Sequence, residues 1–150
     1  MKLVIQRVKS AKVEVEDRIV SEIDKGFLVF IGITHEDNKE IADYLVKKMC
    51  NLRIFEDENN KMNKNIKEVE GELLIVSQFT LYANCKKGNR PSFTETMEPN
   101  KANELYEYFC EKTKKENIKV KKGIFGADMQ ISLKNNGPVT IILEKEQMSR

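Results

Sequence analysis

Phe27-Leu28-Val29-Phe30-Ile31-Gly32-Ile33, opened by Gly26, is an almost unbroken apolar run, and nothing else in the chain restricts the fold so sharply. A strand with one wet face alternates apolar and polar residues. A run without that alternation reads as a central strand covered on both faces.

The flanking segments supply the cover. Residues 2–8 alternate as a strand, residues 12–16 put Val13 and Val15 on one face, and Ile19 to Ile23 continue the pattern, so the first third reads as a meander. Asp37 is placed to cap a helix running to about Asn51, with Ile41, Tyr44, Leu45, Met49 and Leu52 as its buried stripe. After the turn-rich stretch Glu56 to Lys61, Leu73 to Phe79 is a second apolar strand that ends on the polar step Ser77-Gln78. Residues 84–91 are loop-like, broken by Gly88 and Pro91. Asn100 opens a second helix to about Lys115, with Ala102, Leu105, Tyr106, Phe109 and Cys110 inward. Strands are expected at 118–120, 129–133 and 139–143. This order predicts an α/β, β-rich single domain over residues 1–150, with curved, barrel-like sheet packed against two helices.

Charge narrows the partners only slightly. Net charge is +2 with 33% charged residues, so no global field announces a nucleic acid. Two local clusters stand out: Lys86, Lys87 and Arg90, and the lysines at 112, 114, 115, 119, 121 and 122. Either could line a phosphate-binding face or be merely solvated. Cys50, Cys85 and Cys110 are odd in number and widely spaced, which implies neither a disulfide framework nor a metal site. No signal-peptide core and no run near the ~18–20 apolar residues of a membrane span is visible. A cytoplasmic protein without a membrane partner is expected, with a frayed tail from Glu144 to Arg150.

The common catalytic kits are missing. His35 is the one histidine and sits in a loop-like Thr-His-Glu-Asp step, so neither a zinc site nor a histidine-based triad is indicated. Gly123-Ile124-Phe125-Gly126-Ala127 falls short of a nucleotide-binding loop, and no cofactor is expected. What remains is Ser77-Gln78-Phe79-Thr80-Leu81-Tyr82 at the end of a buried strand. Its hydroxyls, amide and backbone N–H groups can bind a ligand or an oxyanion; the alternative is a strand that simply turns polar as it surfaces. Asn135-Asn136-Gly137-Pro138-Val139-Thr140 carries the strongest short hairpin signal between two strand-like runs. Pro138 adds a constraint that a tight turn does not need.

Together these segments resemble the D-aminoacyl-tRNA deacylase family over nearly the whole chain. Val4-Ile5-Gln6-Arg7-Val8 is similar to its opening strand and Asn51-Leu52-Arg53-Ile54-Phe55 to its helix exit. Ser77-Gln78-Phe79-Thr80-Leu81 resembles one signature, followed by Gly88-Asn89-Arg90-Pro91-Ser92-Phe93. Phe125-Gly126-Ala127-Asp128-Met129 leads into the other, residues 135–140. Asn89 stands where the family often has a basic residue, and Asn136 where Asp is frequent.

The resemblance implies a homodimer that hydrolyses the ester joining a D-amino acid, or mischarged glycine, to the terminal adenosine of tRNA. It implies a cis Gly137-Pro138 peptide inserted into the partner subunit's site, beside Ser77, Gln78, Phe79 and Thr80, with Arg7 fixing the loop. Main-chain carbonyls would take the substrate ammonium and leave no room for an L side chain. The substrate's own 2′-hydroxyl would assist the attacking water; Thr80 as nucleophile is the competing mechanism. Lys86, Lys87 and Arg90 become candidate tRNA contacts. Two rivals remain, an RNA-binding module without chemistry and a general acyl hydrolase.

Overall fold

In the computed structural model, residues 1–147 are described. The expected tail is only partly within them: residue 144 ends a strand, Lys145 donates its N–H to the Met1 carbonyl at 3.0 Å, and 148–150 lie outside the described residues.

Strand β1 (Lys2–Val15) organises the sheet. Its first half pairs antiparallel with β3 (Gly26–Gly32) and its second half with β2 (Arg18–Ile23), so the expected meander forms around one long strand. The helix α1 (Lys39–Asn51) follows, then a small hairpin, β4 (Phe55–Glu56) and β5 (Met62–Lys64), whose connection is the stretch expected to turn. β6 (Glu72–Ser77) lies parallel to β3, and after α2 (Pro99–Lys114) the strand β7 (Lys119–Lys122) lies parallel to β6. β8 (Gln130–Glu144) runs along the other edge of β1. The Ser21 hydroxyl donates to the Lys122 carbonyl, and the Lys121 ammonium to the Glu22 carbonyl at 2.6 Å. These contacts bring β2 back towards β7 and nearly close the sheet into a barrel.

The apolar run sits at the centre, as its lack of alternation requires. Phe27, Val29 and Ile31 join Leu3, Ile5, Leu73 and Ile75 on the face that packs against both helices. Leu28 points the other way, into a second core with Val8, Val13, Leu74 and Val76 inside the curve. Each such fully buried side chain contributes about 1.5–3 kcal/mol relative to exposure.

Three local expectations need correction. The α1 cap is Asn38, whose side chain accepts from Ile41 N at 2.9 Å. Asp37 is instead held by the buried Met1 ammonium at 2.7 Å and accepts from Thr34 N at 2.8 Å. Tyr44 lies on the exposed face of α1, while Ala42, Val46 and Cys50 complete the buried stripe. Finally, residues 129–143 form no hairpin. Lys134 faces Ser10, Asn135 faces Val8 and Thr140 faces Gln6, so β8 keeps one direction while residues 136–139 lift off the ladder opposite Arg7. Pro138 has no N–H to give to β1, and lifting it off the ladder removes that demand. No helix among the described residues is long and apolar enough to cross a membrane.

Candidate active site

Leu73 to Val76 are fully buried, and β6 therefore delivers Ser77 at a fixed height, paired with Ile31 on β3. Gln78 N donates to the Ile31 carbonyl at 2.8 Å, after which the chain leaves the sheet in a single 3-10 turn, Phe79–Tyr82. That turn crosses β3 over Gly32, where a Cβ would meet the Leu81 Cβ at 2.8 Å and the Tyr82 ring at 3.2 Å. Glycine is required here for close approach. The Gln78 amide donates to the Thr80 hydroxyl, so two of the polar groups orient one another.

Ser77, Gln78 and Phe79 line a cavity of about 420 Å³ with Ile31, Ile33, Phe93, Met97 and Phe125. Phe79 is 54% exposed and meets the edge of the Phe93 ring at 5.1 Å between centroids. The far wall is tied to the exit of β3 and to the 3-10 turn: Met97 N donates to the Ile33 carbonyl at 3.1 Å, and the Thr96 hydroxyl to the Phe79 carbonyl at 3.3 Å. A smaller hollow of about 260 Å³, lined by Val76 to Phe79 and Phe125 to Met129, adjoins it. Phe93, Met97 and Phe125 were not derivable from any single segment, because two connections far apart in sequence, 83–98 and 123–129, bring them together.

Two carboxylates border these spaces: Asp128 lines the smaller hollow, where it accepts from the Gln130 side chain at 3.4 Å, and Glu98 lines the larger cavity. Glu98 caps α2 by accepting from Asn100 N at 2.9 Å and Lys101 N at 3.0 Å, and these hydrogen bonds hold it below the ordinary glutamate range. His35 is committed to the Thr94 carbonyl at 2.7 Å, in the outer wall. Burial pushes the Cys50 and Cys110 thiols up to about 12, which makes them inert. No group of side chains suited to a metal ion occurs among the described residues.

Arg7, Gly137 and Pro138 form a second cluster. The buried Arg7 guanidinium donates to the Asn136 carbonyl at 3.0 Å and to the Ile54 carbonyl at 2.7 Å, and Val139 N donates to the Asn135 side chain at 3.1 Å. The Gly137-Pro138 peptide is cis, Gly137 has φ +135°, and both residues are exposed. Within one chain the two clusters do not meet. β1 and β3 stand between β8 and β6, and the Arg7–Phe27–Leu73 level is four residues from Ser77. At about 4.8 Å per strand and 3.3 Å per residue, the separation is on the order of 20 Å.

The basic groups sort themselves. Lys86, Lys87 and Arg90 are exposed on the loop after the 3-10 turn, closed by paired bonds between Asn84 and Ser92, and form no ion pair among the described residues. Most of the longer run is consumed internally: Lys112 by Asp43, Lys114 by Glu111, Lys119 by Glu72, and Lys122 by Glu107.

The fold is a strand-rich α/β domain whose sheet nearly closes, with an aromatic-lined cleft at the end of β6. The sequence matches the D-Tyr-tRNA(Tyr) deacylase family over residues 4–144. It is 54% identical over 148 residues to a D-aminoacyl-tRNA deacylase of Thermosipho africanus (strain TCF52B), covering 99% of each chain. It is 55% identical over 143 residues to one of Pseudoalteromonas translucida (strain TAC 125), covering 95% of this chain and 99% of that one. A solved structure titled c-Myc DNA Unwinding Element Binding Protein superposes with a TM-score of 0.92 at 41% identity, covering 98% of this chain and 100% of that one. A probable eukaryotic D-amino acid tRNA deacylase shares the fold, with a TM-score of 0.82 at 20% identity over 95% and 97% of the two chains. The chain belongs to the D-Tyr-tRNA(Tyr) deacylase family.

Proposed function

We propose that this single-domain chain hydrolyses the ester of D-aminoacyl-tRNA, releasing the D-amino acid and tRNA, and that it also clears glycyl-tRNA. The observation that carries the reading is the polar segment Ser77–Thr80, whose first three residues line an aromatic cavity where the one carboxylate, Glu98, is committed to capping α2. Such a site suits a substrate that brings its own activating group. The 2′-hydroxyl beside an aminoacyl ester can orient the attacking water, while backbone N–H groups and the Gln78 amide position the carbonyl. The aromatic lining suits the flat terminal base.

Chirality would come from Gly137 and Pro138. A main-chain wall rejects an L side chain by collision, ignores the identity of a D side chain, and admits glycine. The distance of this loop from its own chain's Ser77 favours a homodimer in which each subunit lends the loop to its partner's cleft. Lys86, Lys87 and Arg90, on the connection that also carries Phe93 of the cleft and without an ion pair among the described residues, suit contacts to the tRNA backbone, and the reaction would take place in the cytoplasm.

The test compares D-tyrosyl-tRNA, L-tyrosyl-tRNA and a small tyrosyl ester. Cleavage confined to the first is expected. Equal cleavage of both enantiomers would remove the chiral filter, efficient cleavage of the small ester would indicate a general acyl hydrolase, and tRNA binding without release would leave a binding module. Thr80→Ala separates positioning from nucleophilic attack. Single-turnover hydrolysis is expected to stay within about tenfold of the parent, whereas a loss on the order of 10⁴ would make Thr80 the nucleophile.

A further inference from the structure

The exposed face of α1 carries Tyr44, Lys47, Lys48 and Asn51 around one open concavity. Neither Lys47 nor Lys48 has an ion-pair partner among the described residues. The neighbouring carboxylate, Asp43, is already engaged by the Tyr108 hydroxyl at 2.7 Å and by Lys112 at 3.9 Å. Tyr44 is 45% exposed, and the Lys145 ammonium stands 5.0 Å from its ring centroid. A half-exposed aromatic ring, with the Lys145 ammonium over it, is thus held beside two lysines that have no ion-pair partner among the described residues. This contrasts with the lysines of α2 and β7, most of whose charge is spent on the protein's own carboxylates.

The face is also correctly sited. Lys145 continues β8 alongside Met1, at the end of the sheet where Leu3 pairs with Ile31 and Ile31 with Ser77. Lys2, next to Met1, reaches over the Tyr82 ring at 4.9 Å and donates to the Leu81 carbonyl at 3.3 Å, in the turn that carries Thr80. The Tyr44 end of the face therefore shares one end of the molecule with the cleft, and α1 runs from there past Lys47 and Lys48 towards Ile54 and Arg7.

We propose that this face of α1 holds the sugar–phosphate backbone of the substrate RNA beyond its terminal nucleotides. The inference rests on the deacylase reading and extends it to the body of the tRNA. Lysines that neutralise phosphates release counterions, which makes the contact strong, salt-dependent and indifferent to base sequence. Tyr44 adds a stacking or hydrogen-bonding surface that every nucleotide can use.

The experiment compares the parent with Lys47→Ala/Lys48→Ala on D-tyrosyl-tRNA and on a D-tyrosylated CCA trinucleotide, over a range of salt. With full-length tRNA, kcat/KM is expected to fall roughly 5- to 10-fold near physiological salt, and the slope of log(kcat/KM) against log salt to flatten by roughly two. The trinucleotide, which lacks the body of the tRNA, should be cleaved as by the parent. The control Lys114→Ala/Lys119→Ala should leave the slope unchanged. A parental slope and rate in the α1 variant would overturn the assignment, and so would an equal loss on the trinucleotide or an equal flattening in the control. If the parent cleaves neither substrate, the deacylase reading falls and takes this one with it; a parent active on both isolates the question to α1.

Discussion

Arg7→Met is expected to lower stability by about 3 kcal/mol, because it strips donors from two main-chain carbonyls at once. Arg7 is 6% exposed and has no ion-paired carboxylate among the described residues; its guanidinium is held by the Ile54 and Asn136 carbonyls. Methionine fills much of the volume but donates nothing. For a chain of 150 residues, about 3 kcal/mol corresponds to a fall in Tm of roughly 6–12 °C. Lysine keeps the charge but presents a point donor instead of a planar fork, so Arg7→Lys should recover only part of the loss. Thermal unfolding reads both variants. A Tm for Arg7→Met within about 2 °C of the parent would mean that the carbonyls find other donors and that the loop does not depend on Arg7.

The same pair of hydrogen bonds marks the limit of what the chain discloses on its own. The central strand was legible because absence of alternation is a local property, and Phe27 to Gly32 carry it in their side chains. The polar strand end at Ser77–Thr80 was legible for a similar reason, since an apolar run that abruptly becomes hydroxyl and amide must be leaving a core. The Asn135–Thr140 segment was misread as a hairpin because Asn-Gly looks alike whether a chain reverses or lifts off a ladder. What decides it is the length of β1, whose 14 residues run beside both halves of β8. Asp37 and Asn38 are equally good caps by residue type, and the choice was made by the Met1 ammonium, 36 positions away. The cleft wall was invisible for the same reason: Phe93, Met97 and Phe125 are ordinary apolar residues until the fold assembles them around Ser77.

Gly137→Ala is expected to reduce kcat/KM on D-tyrosyl-tRNA on the order of 10²-fold while the chain still folds. Gly137 has φ +135°, a region L side chains rarely adopt, and an added Cβ would lie 2.8 Å from the Val139 Cγ2, 3.0 Å from Val139 N and 3.2 Å from the Arg7 Nη2. One of those neighbours is backbone, so the loop itself has to rotate. The loop is exposed and off the ladder, so the stability cost should stay near 1–3 kcal/mol, whereas a shift of about 1 Å in a wall that positions substrate is costly for turnover. Mixing variants then tests whose cleft the loop serves. A Gly137→Ala chain keeps an intact strand end, and a Gln78→Ala/Phe79→Ala chain keeps an intact loop. In a mixed dimer with exchanged loops, one cleft receives both intact parts, and coexpression should restore activity well above either variant alone. If each loop served its own chain, no mixture could exceed the better parent. Near-parental activity in Gly137→Ala alone would remove the loop from the reaction, and a monomeric protein would leave it nothing to enter.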